Sequence, residues 1–312
     1  MLTPLLTDVA LSYKVLGKES QMQVLRAQHL GMCFGVRDAV ALAFTHGESA
    51  PLTILGDLVH NEAVLASLQA RGIAVARHPF EVKTNRVMVT AHGASERTLA
   101  KVRALGLQTI EATCPLVHVA HQAIRTLVCE GYHPVIVGQR DHVEVRGLTE
   151  DLETFDVVLH EQDVLLLDQP PRLGVAAQTT QPIDRVSHLV ELMRRRFPQS
   201  DVRFIDTVCH PTKQRQSAAI DLARQCDVVI VVGGENSNNT RELVNTCRHH
   251  CSHVHHIQTE SDIRSEWVVG AGTVGLTAGT STPEDVIDRV ERQLRALAAG
   301  QHTATHTASS HP

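Results

Sequence analysis

Cys33, Cys114 and Cys209 lie far apart in a chain of 312 residues. That separation excludes a local metal motif, because a structural zinc site uses close pairs such as C-x₂-C and four ligands. Three thiolates from separate segments suit an iron–sulfur cubane that leaves one iron open, although most [4Fe–4S] clusters use four cysteines. The competing reading is three inert thiols in a core, where free cysteine is common. A second set of residues falls in polar loops: His60, His92, His142, Thr179, Ser237, Asn238, Asn239 and Ser281. It is rich in hydrogen-bond donors and poor in lysine. Such donors beside helix N-termini make an anion site, for phosphate or diphosphate. Glu144 joins them, with Asp57 and Asp141 as the other nearby carboxylates. A carboxylate in an apolar pocket is a proton donor because burial raises its pKa. The other reading of Glu144 is a helix cap near Val145.

The elements that must position these residues repeat three times. VLRAQHLGMC, LQTIEATC and VRFIDTVC each read as a strand that ends at a cysteine. A helical stretch follows each: FGVRDAVALAF, PLVHVAHQAIRTLV and HPTKQRQSAAIDLARQ, with Pro115 suited to a first turn. A second strand then ends at a glycine and a polar loop, in LTILGDLVHN, PVIVGQRDHVE and DVVIVVGGENSNN. The cysteine-to-glycine spacing is 23, 24 and 24 residues for Gly56, Gly138 and Gly233. This register favours a shared task for the three cysteines over three inert thiols. A third strand and loop close each unit, in RVMVTAHGAS, RLGVAAQTTQP and GTVGLTAGTSTP. Strands alternating with helices predict mostly parallel sheets with helices on their faces. Ligands of such sheets bind outside the carboxyl ends of the strands, where every cysteine and polar loop above is placed.

Composition narrows the classes. Aromatics are 3% of the chain, so the core must be Val, Leu, Ile and Ala, as in buried parallel sheets. A net charge of -5 without a basic stripe argues against nucleic acid. No apolar run reaches the roughly 18 residues of a membrane span. Seven cysteines without an export signal favour metal binding or catalysis over disulfides, in a cytoplasmic setting. Cys129 and Cys226 read as core. Cys247 and Cys251, near His253, His255 and His256, read as a half-exposed helix and loop, with a stray metal as the lesser alternative. No GxGxxG and no GxxxxGK[ST] motif is present, so electrons would come from an external carrier.

GMCFGVRDAV, LVHNEAV, AHGAS, EATCPLVHVAH, HVEVRG, AAQTTQP, GGENSNN and LTAGTSTP, in that order, resemble the LytB-type 4-hydroxy-3-methylbut-2-enyl diphosphate reductases over roughly residues 22 to 298. The resemblance implies a three-lobed α/β trefoil around one central [4Fe–4S] cluster. It implies Cys33, Cys114 and Cys209 as cluster ligands. It implies His60, His92, Ser237, Asn239 and Ser281 at the diphosphate, with Asn238 beside them, and His142, Glu144 and Thr179 at the substrate hydroxyl and proton relay. The implied reaction is two-electron reductive loss of that hydroxyl, with a ferredoxin- or flavodoxin-type donor. Three positions depart from the family pattern: Val143 stands for a usual Pro, Asn238 for a frequent Ser and Gln139 for a common His. A paralogue acting on another phosphorylated allylic alcohol and a non-catalytic cluster-bearing sensor are therefore the rival readings. The intact Glu144, Thr179 and diphosphate loops argue against the sensor. The expected organisation is an N-terminal extension over 1–21 and a strand and cysteine over 22–34 that pack with the third unit. Three units follow over 35–114, 115–205 and 206–298, then a disordered tail over 299–312.

Overall fold

The structure is a computed structural model that describes residues 22–308, with side chains through residue 299. The expected extension over 1–21 and the end of the expected tail, 309–312, lie outside the described residues. Three four-stranded sheets form, and every described strand pair is parallel.

The chain opens with β1 (Gln23–Arg26) and α1 (Phe34–Ser49). The first full sheet then holds β2 (Thr53–Leu55), β3 (Ala74–Ala76), β4 (Arg86–Val89) and β5 (Gln108–Glu111), in the order β3-β2-β4-β5. Helices α2 (Glu62–Ala70) and α3 (Glu96–Ala104) connect these strands. The second unit begins with α4 (Pro115–Cys129) and contains β6 (His133–Val137), β7 (Asp156–Val158), β8 (Arg172–Ala177) and β9 (Asp201–Phe204), ordered β7-β6-β8-β9. Its connecting helices are α5 (Val143–Thr149), α6 (Glu161–Leu165) and α7 (Ile183–Arg196). The third begins with α8 (His210–Ala223) and contains β10 (Val228–Val232), α9 (Asn238–Arg248), β11 (Val254–Ile257), β12 (Thr273–Ala278) and α10 (Glu284–Ala308).

The third sheet is ordered β11-β10-β12-β1. The first described strand, β1, therefore takes the place that β5 and β9 take in the other two sheets. Each cysteine consequently falls where the chain leaves one unit for the next. Cys33 joins β1 of the third sheet to α1, whose Ala39 and Ala43 pack with Ile54 and Met88 of the first unit. Cys114 joins β5 to α4, whose Ala120 and Ile124 pack with Ile136 of the second. Cys209 joins β9 to α8, whose Ala219 and Ala223 pack with Val229 and Val231 of the third.

The central strands are apolar because both faces are covered. All five residues of β10 are buried, and each such side chain contributes about 1.5–3 kcal/mol relative to exposure. The strands β3, β7 and β11 had no counterpart in the expected units. They are short sheet edges of three or four residues, and parts of each remain accessible to water. Two further expectations are corrected. The cysteines do not end their strands: Cys114, Cys209 and Cys33 come three, five and seven residues after β5, β9 and β1, and each is the N-cap of the next helix. The last helix also continues to Ala308, through the start of the segment expected to be disordered, since neither Pro nor Gly interrupts residues 301–308.

Candidate active site

The three N-cap cysteines are held by one backbone device. The N–H groups of Cys33, Cys114 and Cys209 donate to the carbonyls of Thr280, Ala91 and Thr179, at 3.0, 3.0 and 2.9 Å. Each acceptor stands two residues beyond the third core strand of a unit, after β12, β4 and β8. Pro115 and Pro211 occupy the first turns of α4 and α8, where a missing N–H costs nothing. Gly35 is needed at the start of α1, because a Cβ there would overlap the Cys114 sulfur. The cysteines thus converge on one cavity of about 80 Å³.

The polar loops reach the same cavity from helix N-termini. His142 is the N-cap of α5 and Ser237 the N-cap of α9, while His60 precedes Asn61, the N-cap of α2. His92, Thr179 and Ser281 follow the third core strands. All eight expected anion-site residues line the cavity, as does Glu144. Asp57 and Asp141 do not line it and are exposed. Gly234 lets the loop after β10 press on the His60 carbonyl, which a Cβ would meet at 2.6 Å. That carbonyl also accepts the Ser281 hydroxyl at 3.1 Å.

The three histidine rings pack together, with centroids 4.4 Å apart for His60 and His92, 5.2 Å for His60 and His142, and 5.7 Å for His92 and His142. Burial lowers the pKa of each, that of His92 well below the imidazole range and that of His142 to about 3. Mutual repulsion adds to burial at His92 and His142. All three are therefore neutral at pH 7. The Glu144 N–H donates to His142 Nδ1 at 3.1 Å, so the ring proton of neutral His142 sits on Nε2.

Glu144 is 2% exposed and has no cationic partner. Its Oε1 accepts the Thr179 N–H at 2.6 Å and its Oε2 the Thr179 hydroxyl at 3.0 Å. Burial outweighs these two bonds and raises its pKa to about 7. The cap of α5 is His142, so the helix-capping reading of Glu144 fails.

Two buried polar atoms here have no hydrogen-bond partner among the described residues. Asn239 accepts the Thr280 N–H on Oδ1 at 2.9 Å, which leaves its buried Nδ2 free. His60 Nδ1 likewise makes no hydrogen bond, and its nearest anion is Asp57 Oδ2 at 3.9 Å. A buried donor left unmade costs about 1–3 kcal/mol, so both atoms favour a polar ligand. Asn238 also lines the cavity, and its amide donates to the Thr180 hydroxyl at 3.1 Å. Thr180, Thr212 and Thr280 also line the cavity, and no sequence signal separated them from other threonines.

The donor set fits an iron–sulfur cluster better than a single ion. Among the described residues, no group of three or more His, Cys, Asp or Glu is placed to hold one metal ion. A cluster takes one thiolate per iron, so its ligand sulfurs stand wider apart. Burial raises the Cys114 pKa and takes that of Cys209 to about 11. Backbone N–H groups at the helix starts act in the opposite sense on both, favouring thiolates.

Among the remaining cysteines, Cys226 packs on the core as expected, whereas three others differ from expectation. Cys129 is exposed, and Cys247 and Cys251 are buried in the apolar core of the third unit. His255 stacks on Trp267 and His256 bonds to the Gly233 carbonyl, so these rings are spent on structure.

Fold and cavity together define a class: a three-sheet α/β protein whose strand ends enclose one central polar site for a small ligand. Residues 24–295 match the sequence model of the family described as LytB protein. The 4-hydroxy-3-methylbut-2-enyl diphosphate reductase of Geobacter metallireducens is 34% identical over 279 residues, covering 88% of this chain and 98% of that relative. Its counterpart from Citrifermentans bemidjiense is 37% identical over 280 residues with the same coverage. The solved E-1-hydroxy-2-methyl-but-2-enyl-4-diphosphate reductase from Plasmodium falciparum superposes with a TM-score of 0.83 at 26% identity, covering 88% of each chain. The chain belongs to the LytB family.

Proposed function

We propose that this chain catalyses the reductive dehydroxylation of (E)-4-hydroxy-3-methylbut-2-enyl diphosphate to isopentenyl and dimethylallyl diphosphate, the last step of the methylerythritol phosphate route. The allylic C–O bond breaks, two electrons and two protons are taken up, and one water leaves. Family membership supports this reading, and one observation carries it: the buried Glu144–Thr179 pair shares a cavity with the three N-cap cysteines.

Cys33, Cys114 and Cys209 would hold one [4Fe–4S] cluster per chain. When bound, the cluster would supply the electrons and a Lewis-acidic iron for the hydroxyl. Thr179 donates to Glu144, so its oxygen lone pairs are free to accept the substrate hydroxyl. Thr179 and Glu144 then form a two-step proton path, with Glu144 near the optimum for an acid at neutral pH. Nε2–H of His142 donates to the same end of the substrate.

Ser237, Asn239, Ser281, His60 and His92 bind the diphosphate. Ser237 accepts the Thr240 N–H at 3.2 Å, which leaves its proton to donate. Asn238 serves indirectly, by fixing Thr180. The electrons come from a ferredoxin- or flavodoxin-type donor. A cytoplasmic, reducing setting suits seven free cysteines. Among the described residues, no helix is long and apolar enough to cross a membrane.

The test is anaerobic reconstitution with iron and sulfide, then turnover of the allylic diphosphate with a chemical reductant. Competition with other phosphorylated allylic alcohols separates this activity from that of a paralogue. A cluster whose spectrum ignores the diphosphate would indicate a sensor and reject the enzyme.

A further inference from the structure

Among the described residues, Arg215 is a buried cation without a carboxylate partner. It lies on α8 and is 8% exposed. Its Nε donates to the Gly31 carbonyl at 2.9 Å and its Nη1 to the Pro211 carbonyl at 3.0 Å. Gly31 is two residues from Cys33, and Pro211 is two residues from Cys209. The charged groups that act on its guanidinium are Cys33 and Cys209, which favour it, and Arg37, which opposes it. No carboxylate is among them. Arg185, by contrast, grips Glu242 with two nitrogens at 2.6 and 2.9 Å.

Buried charges are paired as a rule, because desolvation costs several kcal/mol per ion. Two carbonyls solvate a guanidinium but do not neutralise it, and neither do two protonated thiols. The fitting anion is a thiolate-held cluster, whose negative charge grows with each added electron.

We propose that Arg215 is the built-in counter-charge of the cysteine-held cluster, a positioning residue that ties the Cys33 and Cys209 segments together and raises the cluster's reduction potential. This rests on the cluster reading above. A fixed positive charge in a dry site stabilises the reduced form more than the oxidised form. Arginine suits the task because it keeps its charge when buried.

The experiment compares wild type, R215Q and R215K after anaerobic reconstitution. The readouts are iron and sulfide content, midpoint potential by EPR-monitored titration, and thermal melts with and without the cluster. R215Q should shift the midpoint to more negative values, and R215K should stay near wild type. The melting temperature of R215Q should fall more in the loaded protein than in the metal-free one. An unshifted R215Q midpoint, or equal melting losses in both forms, overturns the proposal and leaves a purely structural clamp. If Gln prevents folding, R215K decides alone: an unchanged potential supports the charge role, and a clearly displaced one overturns it. Wild type that takes up neither iron nor sulfide rejects the cluster reading itself, which separates that failure from this one.

Discussion

Cys33, Cys114 and Cys209 each begin a helix and face a cavity of polar loops. Cys226, Cys247 and Cys251 gather in the third unit, around Val229, Val231 and Leu243. The residue type is the same and burial raises thiol pKa values in both places, to about 11 for Cys209 and Cys226 and about 12 for Cys247. What differs is the backbone offered to the sulfur. N–H groups of Leu116 and Val117 favour the Cys114 thiolate, and Thr212 does the same for Cys209. Carbonyls meet two sulfurs of the second set: Cys251 meets those of Cys226, Asp227 and His253 at 3.5 Å, and Cys247 meets that of Ala219 at 3.9 Å. Donors suit a sulfur that will lose its proton, and carbonyls suit one that keeps it. Burial alone does not identify a site; the direction of the neighbouring dipoles does.

The sharpest way to break this comparison is to exchange the two sets. If the proposed cluster is present, Cys209→Ser should lose nearly all bound iron and lower turnover by about 1,000-fold or more, because one of its three proposed ligands would be gone. Cys247→Ala should keep full iron content and cost only about 1 kcal/mol, the scale of one small buried group. Iron and sulfide assays with denaturant melts decide, and iron loss in Cys247→Ala would sink the distinction. Next in size, Glu144→Gln should reduce kcat by about 10²–10⁴-fold with the iron retained. Near-normal turnover would remove Glu144 from the proton path.

The carboxylates extend the contrast, since Glu242 is buried against Arg185 whereas Glu144 is buried without a cation. Folding raises the Glu144 pKa from 4.5 to about 7, so the folded state binds the extra proton between those values. Stability of metal-free protein should therefore fall as pH rises from 5 to 7.5, by up to about 3 kcal/mol from this group. Glu144→Gln should flatten that slope, as seen in denaturant melts across the range. The smallest effect concerns the neutral histidines. A diphosphate beside His60 and His92 should raise their pKa values, so binding near pH 6.5 should take up a fraction of a proton. Calorimetry in buffers of different ionisation enthalpy measures this, and zero uptake means that the rings bind only as neutral donors.

Much of this was legible before any coordinates. The cysteine–helix–strand–glycine register marked three units, because long helices and apolar central strands carry strong periodic signals. The edge strands β3, β7 and β11 carried none: Ala74–Ala76, at three residues, is too short to announce a strand. The N-cap placement of the cysteines escaped for a related reason, since loops of different length separate each from its strand. Thr180 depends on a contact between units and the free amide of Asn239 on one between two distant loops of the third unit, neither of which a local pattern encodes. Cys129 lies late in a helix like a core residue, yet it falls on the outer face.

The pairing of β1 with β12 also sets an order of events during synthesis. Cys33 is made early, but its N–H is fixed by the carbonyl of Thr280, and Gly31 is fixed by that of Ala278. The ribosome must therefore deliver nearly the whole chain before the first cysteine can take its place. A nascent chain that has finished only two units holds no complete set of thiols. If the cysteines hold the proposed cluster, its loading would be deferred until the polypeptide has closed on itself.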